Sequence, residues 1–548
     1  MMRTGSGIGI GEGIAIGTIR VVRRSTLPTE RRNVTDTQEE LARFAKAQET
    51  AIAQLAQLSE KAMQEGSEEN AAILEIHGMM LADEDYCDAI TASITGEQVN
   101  AEYAVAVTGE AFAQRFAAMD DAYMQARATD IRDISDRLIA CLSPEQAVQP
   151  QWDAPAILCA DTLSPSETAA LDSKHVLALV TAHGSAGSHT AILARNRGIP
   201  AILGVGEAFF SVMEDGQPAI VNAQTGECIL HPDAQTLART EQEREAQREK
   251  SARLDKLRGM ENITKDGRKI DIFANIGSAG SIGEVLRHDA GGIGLFRSEF
   301  LYLEHSDYPS EETQFQVYKQ VLERMNGRKV IIRTLDLGAD KQCAYCNLPK
   351  EENPALGIRG IRLCLHRPAL FRTQLRALYR ASVHGRLGIM FPMIANVWEL
   401  EEILAICAEV RAALKGEGIP ICESTELGIM IETPAAALIS GTLAPMVDFF
   451  SVGTNDLSQY TLACDRQNPE IARFFDEHHE AVLQLIAMAA QQAHRHGKWI
   501  GICGELAADV SLTETFLRMG IDELSVAPSA VLHLRETIRS LDLSQARA

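Results

Sequence analysis

The sequence predicts a multidomain α/β protein: a small α/β domain with an inserted all-helical subdomain, followed by a C-terminal (β/α)8 barrel. Three observations lead to this prediction. A length of 548 residues exceeds what a single hydrophobic core usually holds. No proline occurs between Pro28 and Pro144, and that stretch is rich in good helix formers. After residue 262, short apolar runs alternate with helical segments to the end of the chain.

Residues 1–34 and 146–232 are assigned to the α/β domain. Glycine alternates with isoleucine, alanine and valine over residues 6–24, which predicts an opening β-strand. The glycines there also resemble a dinucleotide-binding loop, but no strand precedes them, so nucleotide binding is the weaker interpretation. Because the opening strand needs a sheet to join, we expect the helical subdomain to be an insertion. Four apolar runs bounded by Gly/Asp turns predict further strands at Ala156–Ala160, Val176–Val180, Ala201–Leu203 and Ala219–Val221.

Residues 35–145 are predicted to form several long antiparallel helices. Apolar residues recur there at near-helical spacing, as at Leu55, Leu58 and Met63. The segment holds 22 acidic and 7 basic residues, a net charge of −15. A solvated helical surface is the ordinary interpretation, and a docking face for a basic protein partner is the sharper one. The highly charged residues 233–262 predict a solvated linker helix with i,i+4 ion pairs.

Residues 263–548 are predicted to form the barrel. Eight strands with helices between them fit a (β/α)8 barrel, and a doubly wound sheet remains the alternative. The weakest of the eight strand-like runs lies near Ile361–Leu365. The other seven are Ile270–Ile276, Ile293–Phe296, Val330–Arg333, Ile389–Met393, Ile429–Glu432, Phe449–Val452 and Ile500–Cys503.

The composition disfavours several classes of partner and location. A formal net charge of −23 disfavours nucleic acid and anionic membranes. No apolar run reaches the roughly 18 residues of a membrane helix, and no signal peptide is expected. The 11 cysteines are scattered, which indicates free thiols in a reducing cytoplasm. Cys343 and Cys346 form one isolated CxxC pair, a weak signal for a metal site.

Polar residues follow five of the predicted barrel strands. In a barrel these positions are the C-terminal strand ends, where active sites are built. Arginines bind phosphate or carboxylate, and carboxylates with few other hard ligands suit Mg²⁺. Any one residue alone could be a surface ion pair or a helix cap, but together they indicate a site for a small, highly anionic substrate. The residues are Arg297, Arg333, Glu432, Asn455, Asp456 and Cys503.

A second candidate site lies in the segment Gly184–Arg195. A glycine-rich turn there leads to His189 at the start of a predicted helix, Thr190–Asn196. Backbone N–H groups at a helix start favour an anion, and would stabilise a phosphorylated imidazole. The alternative is an N-terminal capping segment with an incidental histidine.

These motifs resemble those of the enzyme I family of the bacterial phosphoenolpyruvate-dependent sugar phosphotransferase system. Gly187–Ile192 is similar to the phosphohistidine signature that this family shares with the pyruvate phosphate dikinase group. The likeness extends over nearly the whole chain. The other motifs that resemble the family in order and spacing are Arg333–Gly338, Glu351–Pro354, Glu432–Ala436, Phe449–Leu457 and Gly504–Ala507.

The resemblance implies a phosphotransferase that moves the phosphoryl group of phosphoenolpyruvate to Nε2 of His189, releases pyruvate, and then phosphorylates a histidine of the phosphocarrier protein HPr. It implies a phosphohistidine α/β domain, an HPr-binding helical subdomain, and a barrel that binds phosphoenolpyruvate and forms a homodimer. Glu432 and Asp456 would bind Mg²⁺, and Cys503 would protonate the enolate carbon of nascent pyruvate. Phosphoenolpyruvate would be bound by Arg297, Arg333, Arg359, Asn455, Asp456 and Arg466.

Two features depart from the family pattern. Ala186 and Gly187 stand where many relatives have a polar pair such as Arg-Thr. The sequence ends at Ala548, where several relatives continue with another helix, so dimer packing at that edge is expected to differ. A dikinase would need an ATP-binding domain, and no phosphate-cradling glycine loop is evident. A non-catalytic sensor of phosphoenolpyruvate would be expected to lack His189 or Cys503.

Overall fold

The structure is a computed structural model that divides into two compact units, residues 1–250 and 251–548, which are described separately. The N-terminal unit combines a mixed sheet with a helical insertion, and the C-terminal unit is a closed barrel. The structure describes residues 2–11, 13–22, 29–64, 68–119, 122–143, 154–164, 167–168, 171, 175–185, 188–303, 307–338, 344–346, 348 and 351–544.

The N-terminal unit contains an eight-stranded sheet in the order β1-β8-β7-β3-β4-β5-β6-β2. The run β3-β4-β5-β6 is parallel, and the remaining pairs are antiparallel. All four strands predicted in the second half of the domain are present, and the N-terminal strands join the same sheet. The strands are β1 (Arg3–Ser6), β2 (Ile8–Ile10), β3 (Ile14–Val22), β4 (Ala156–Ala160), β5 (Val176–Thr181), β6 (Ala201–Leu203), β7 (Pro218–Asn222) and β8 (Glu227–Leu230).

Five helices are inserted between the neighbouring strands β3 and β4, as the sequence predicted. Their apolar faces form a core that includes Leu55, Ile90 and Val105. The five are α1 (Thr37–Gln64), α2 (Glu68–Leu81), α3 (Glu84–Glu97), α4 (Ala101–Ala117) and α5 (Ala122–Leu142). Later in the unit come α6 (His189–Arg197), α7 (Glu207–Phe210) and α8 (Ala234–Asp255), the last of which crosses the boundary between the units.

A buried ionic contact links two of the inserted helices. His77 of α2 is fully buried, with Nε2 3.3 Å from Asp130 Oδ1 and Nδ1 3.4 Å from Asp133 Oδ2 of α5. Burial by itself would lower the pKa of His77, but the two aspartates outweigh it and raise the pKa to about 9. His77 is therefore charged at neutral pH and holds α2 against α5.

The C-terminal unit is a closed barrel of eight parallel strands, which confirms the predicted fold class. Each strand pairs in parallel with its two neighbours, and β16 closes onto β9. The strands are β9 (Asp271–Ile276), β10 (Ile293–Arg297), β11 (Val330–Arg333), β12 (Leu387–Phe391), β13 (Glu426–Ile431), β14 (Phe449–Val452), β15 (Trp499–Ile502) and β16 (Glu523–Val526).

Helices cover the outside of the strand ring. Their buried residues and the outward-facing side chains of the strands form one continuous core, as in other α/β barrels. The helices are α9 (Ile282–Arg287), α10 (Phe300–Leu303), α11 (Glu311–Arg324), α12 (Ile361–His366), α13 (Pro368–Ala381), α14 (Val397–Gly416), α15 (Pro434–Leu438), α16 (Ser440–Leu443), α17 (Thr454–Leu462), α18 (Glu480–Arg495), α19 (Thr513–Met519) and α20 (Val531–Ser540).

One predicted barrel strand is wrong. The run at Ile361–Leu365 forms helix α12, which ends just before Pro368 opens the next helix. The eighth strand is instead β16, whose residues Glu523 and Ser525 alternate with Leu524 and Val526. Because Glu523 and Ser525 are polar, this strand lacks the continuous apolar run by which the other seven were recognised.

The linker segment 233–262 begins with a long helix, α8. Its residues are mainly exposed, although Thr240 and Leu254 are buried. The domain boundaries drawn from the sequence stay a prediction. In the described part of the chain, no helix combines the length and the apolar character needed to cross a bilayer.

Candidate active site

The C-terminal rim of the barrel, where the eight strands end, collects the polar residues that follow the predicted strands. The last residues of β10 and β11 are register partners, and α17 begins directly after β14. Because all eight strands are parallel, residues at their carboxyl ends share one rim. These residues are Arg297, Arg333, Glu432, Asn455, Asp456 and Cys503.

Arg333 is a buried cation held between two carboxylates. Its Nη2 lies 2.6 Å from Glu299 Oε1, and its Nη1 lies 2.9 Å from Asp336 Oδ2. Burial alone would lower the pKa of Arg333, but the two carboxylates outweigh that effect, so the pKa lies above its ordinary value. The hydroxyl of Ser298 donates to the backbone carbonyl of Arg333 at 2.7 Å and fixes the strand end.

Arg359 reaches the same carboxylate from a loop. Its Nη2 donates to both oxygens of Asp336, at 3.2 and 3.1 Å, and lies 3.7 Å from Asp456 Oδ2. The residue is buried, and carboxylates including Asp336 and Asp456 raise its pKa against the effect of burial. Gly360 follows with a φ of +53°, and a Cβ there would meet the side chain of Met393 at 2.8 Å. Glycine therefore permits the turn that directs Arg359 towards the rim.

Glu432 is buried between the strand ends, with 1% of its surface exposed. Its Oε1 accepts a hydrogen bond of 2.6 Å from the backbone N–H of Met393, whose φ of +61° is rare for a side chain of that size. Burial and the nearby carboxylates of Asp456 and Asp336 raise the pKa of Glu432 well above its usual value. A bound cation would offset the unfavourable free energy of burying the charged Glu432 carboxylate. Strand β13 ends at Ile431, directly before Glu432, and the next residue, Thr433, caps helix α15.

Asn455 ties two neighbouring strand ends together. Its amide donates to Glu505 Oε1 at 3.0 Å, and its Oδ1 accepts from the backbone N–H of Glu505 at 2.9 Å. Asp456 follows in the first turn of α17 and is buried, with its carboxylate directed at Arg359. A carboxylate in the first turn of a helix is also favoured by the helix dipole.

Cys503 lies directly after β15 and is buried. Burial raises the pKa of its thiol to about 12, so the thiol is protonated at neutral pH. Its Sγ lies 3.6 Å from the carbonyl oxygen of Val452. A Cβ on Gly504 would lie 1.9 Å from Thr454 Oγ1, so glycine is needed where the loops after β14 and β15 approach each other.

Two predicted arginines, Arg297 and Arg466, are not joined to this cluster by an ion pair or a side-chain hydrogen bond among the described residues. Arg297 is half-buried, and within the described residues its side chain has no ion pair or hydrogen bond. Arg466 is exposed in the loop after α17. Burial raises the pKa of Glu477, and the charge of Arg466 partly opposes that shift. Among the described residues, the Arg466 side chain makes no hydrogen bond to the cluster.

His189 belongs to the N-terminal unit and is the first residue of helix α6. The Ser188 side chain caps this helix by accepting from Ala191 N at 3.3 Å. Helix α6 agrees with the predicted segment Thr190–Asn196, with one more residue at each end. The side chain of His189, the departures at Ala186 and Gly187, and Cys343 of the CxxC pair lie outside the described residues.

Comparison with known proteins places the chain in a family. Three family models match it: the PEP-binding domain of PEP-utilising enzymes over residues 251–543, their N-terminal domain over residues 6–127, and their mobile domain over residues 152–226. The phosphoenolpyruvate-protein phosphotransferase of Priestia megaterium is 41% identical over 539 residues, covering 98% of this chain and 93% of the relative. The chain belongs to the phosphoenolpyruvate-protein phosphotransferase family.

Other phosphoenolpyruvate-protein phosphotransferases show a similar likeness. That of Staphylococcus carnosus is 39% identical over 98% of this chain and 94% of its own, and that of Bacillus subtilis is 39% identical over 99% and 95%. An NMR structure of enzyme I covers 44% of this chain at 29% identity, with a TM-score of 0.38, too low to carry an argument. The relatives confirm the predicted family and the predicted class of enzyme, a phosphotransferase.

The structure adds two residues to the predicted site of this phosphotransferase. Asp336 and Glu299 are the buried counter-charges of the rim arginines. The sequence offered a signal for Asp336, which lies three residues after Arg333 within one of the family-like motifs. Glu299 follows the end of β10 by two residues and could have been found by the strand-end rule that identified Arg297.

The carboxylates of the rim fit a hard divalent cation. Glu432 and Asp456 offer oxygen donors, and burial together with the carboxylates of Asp456 and Asp336 raises the pKa of Glu432, an effect that a bound cation would oppose. In the N-terminal unit, His183 Nε2 also lies 2.8 Å from Glu207 and 3.3 Å from Asp161. Those three side chains are largely solvent-exposed, which is ordinary for surface ion pairs, and we assign no metal to them.

Proposed function

We propose that this protein transfers the phosphoryl group of phosphoenolpyruvate to its own His189, releases pyruvate, and then passes the phosphoryl group to a histidine of a small phosphocarrier protein of the HPr type. The observation that carries the proposal is the buried pair of arginines around Asp336, beside Glu432 and Asp456 at the barrel rim. A site that brings two buried cations and an excess of carboxylates together suits a highly anionic substrate bound with a divalent metal.

The arginines would bind the anionic groups of phosphoenolpyruvate. Arg333 and Arg359 are held in fixed orientations by Asp336, so little side-chain freedom would be lost on binding. Among the described residues the Arg297 guanidinium has no hydrogen bond or ion pair, so it would be available for the substrate. Asn455 and Asp456 would complete the substrate contacts, and Arg466 would reach the substrate from its exposed loop.

We assign Mg²⁺ to Glu432 and Asp456. A bound Mg²⁺ would neutralise the charge on the phosphoryl oxygens during transfer. The protein's own contribution is to hold both carboxylates in place, through the backbone N–H of Met393 for Glu432 and through helix α17 for Asp456.

Cys503 would protonate the enolate carbon that forms when the phosphoryl group leaves. Its thiol carries a proton at neutral pH because burial raises its pKa to about 12. A neutral thiol also adds no charge to a site already rich in carboxylates.

His189 would accept the phosphoryl group at the start of helix α6. Backbone N–H groups at the start of a helix favour an anion at this position. In the helical insertion, the acidic surface and the exposed side chains of Met63 and Met79, 52% and 71% exposed, suit a basic partner with an apolar patch. By analogy with the family we also expect a homodimer formed through the barrel and a cytoplasmic location.

The test is incubation with phosphoenolpyruvate labelled in the phosphoryl group, with Mg²⁺, and with or without purified HPr. We expect acid-labile label on the protein alone and its transfer to HPr when HPr is present. Labelled ATP should give no label. Label that appears only with ATP, or that never leaves for HPr, would contradict the proposal.

A further inference from the structure

Glu523 is a carboxyl group buried inside the barrel, at the end opposite the active-site rim. It is the first residue of β16, 1% exposed, and neither of its oxygens has a hydrogen-bond partner among the described residues. Glycines on two strands make room for it. A Cβ on Gly501 would lie 1.8 Å from Oε2, and a Cβ on Gly294 would lie 2.5 Å from Oε1. The interior is therefore built around this carboxyl group.

A carboxyl group in this position favours its protonated form. Burial raises the pKa of Glu523 well above its usual value, Asp271 raises it further, and Lys329 opposes the shift only in part. A neutral carboxyl group is both a proton donor and, after losing its proton, a base that recovers it. The transfer chemistry at the rim makes no use of this group.

Glu523 and Cys503 lie on neighbouring strand courses, because Gly501 of β15 is the register partner of Glu523. Gly501 and Cys503 lie two residues apart on the course of β15, so they face the same side, with Cys503 nearer the rim. Ser451 of β14 is the register partner of Gly501. The buried Ser451 hydroxyl lies close enough to the Cys503 thiol to lower the pKa of the thiol. The two groups do not meet the geometry of a hydrogen bond.

The other register partner of Glu523 lies at the surface. Asp271, the first residue of β9, is the register partner of Glu523 and is exposed to solvent. It lines a surface pocket of about 410 Å³ together with Lys329 and Arg386. Asp271 is thus a solvent-exposed neighbour of Glu523 at the N-terminal end of the barrel. The thiol itself is only 2% exposed at the opposite end.

We propose that Glu523 is a proton-relay residue that restores the proton of Cys503 after each turnover, through the hydroxyl of Ser451. The S–H bond of Cys503 breaks as the C–H bond of pyruvate forms. The thiolate then takes the Ser451 proton, Ser451 takes the Glu523 proton, and the Glu523 carboxylate takes a proton from water beside Asp271. No electron transfer is involved. This inference rests on the proposed function, because it assumes that Cys503 is the donor to carbon.

The test separates the first turnover from the later ones. The first turnover uses the proton already on Cys503, whereas later turnovers need the relay. Glu523→Gln keeps the size of the side chain and removes the acid. In rapid-quench experiments with phosphoenolpyruvate, Mg²⁺ and excess HPr, we expect this variant to form its first pyruvate within about twofold of the wild-type rate. Its later turnovers should be slower by about tenfold or more, the lower range for lost proton-transfer catalysis.

Ser451→Ala should reproduce the same pattern, and it tests the relay if Glu523→Gln fails to fold. Ser440→Ala is the matched control, because Ser440 is a fully buried serine on helix α16, outside the strand ring, and its hydroxyl has no hydrogen-bond partner among the described residues. The release of phosphoryl groups from pre-labelled enzyme to HPr should be unchanged in all three variants, since that step does not involve Cys503. Equal slowing of first and later turnovers, or no slowing in either relay variant, would overturn the inference. If the wild-type protein formed no pyruvate, the proposed function would fail instead.

Discussion

The carboxylate of Asp336 lies 2.9 Å from Nη1 of Arg333 and at the same time accepts two hydrogen bonds from Arg359. One buried acid therefore orients two buried cations from different parts of the chain. Asp336→Asn should leave those cations poorly compensated and destabilise the barrel by roughly 3 kcal/mol, the lower end for breaking a buried ion pair. Calorimetry of the full chain would measure this in the unfolding transition of the barrel.

The control for that change is Glu409→Gln. Glu409 also pairs with an arginine, Arg372, but its side chain is 61% exposed. Glu409→Gln should lower the free energy of unfolding by less than about 1 kcal/mol, as for other surface pairs. Equal effects of the two changes would show that Asp336 has no special part in the cluster.

Arg297 should affect binding without affecting stability. Its side chain has no structural partner among the described residues, so Arg297→Gln should melt within a few degrees of the wild type. Loss of a charge-assisted contact to substrate should raise the KM for phosphoenolpyruvate by about 10- to 100-fold, from the usual 1.5–3 kcal/mol. Steady-state kinetics and thermal melting test both parts. An unchanged KM would remove Arg297 from the binding site.

Cys503→Ser should slow turnover by about 100-fold or more while leaving the KM for phosphoenolpyruvate nearly unchanged, because the thiol acts on carbon and not on phosphate. The buried hydroxyl is a much weaker acid towards carbon than the thiol. Pyruvate formation in a coupled assay gives the rate. Near-normal turnover in this variant would make Cys503 a structural residue.

His77 predicts how the stability of the helical insertion depends on pH. Its pKa is raised in the fold from 6.5 to about 9, so its stabilising effect is complete below pH 6.5 and is lost as the pH rises through 9. At 1.36 kcal/mol per pKa unit the full loss is about 3 kcal/mol. This loss of stability can be measured by hydrogen exchange of α2 and α5 in the full chain from pH 6 to pH 10, after correction for the intrinsic exchange rate.

His77→Gln is the control for that experiment. It should remove most of the pH dependence in α2 and α5, because Gln cannot titrate between Asp130 and Asp133. If this variant kept the wild-type dependence, another group would be responsible for it.

Much of the barrel and its rim could be predicted because parallel strands leave strong local signals. Apolar runs mark the buried strands, and Arg333, Glu432 and Cys503 interrupt the pattern where each strand ends. Strand β16 was missed because the polar residues Glu523 and Ser525 alternate with Leu524 and Val526, so it lacks the continuous apolar run that marked the other strands.

Contacts between distant segments could not be predicted in the same way. Asp336 and Arg359 are 23 residues apart, and nothing in their spacing indicates that one carboxylate serves two arginines. The link between His77 and α5 is of the same kind, because it depends on how two helices pack and not on either sequence alone.

The proposed phosphotransfer depends most on His189 as the acceptor. The most direct measurement is labelling of the wild type, His189→Ala and His183→Ala with phosphoenolpyruvate labelled in the phosphoryl group, in the presence of Mg²⁺, followed by acid and alkali treatment. His183 is an exposed histidine six residues earlier in the chain and serves as the matched control. We predict acid-labile, alkali-stable label on the wild type and on His183→Ala, and none on His189→Ala, with all three proteins melting alike. Acid-labile label that persists on His189→Ala would contradict the account.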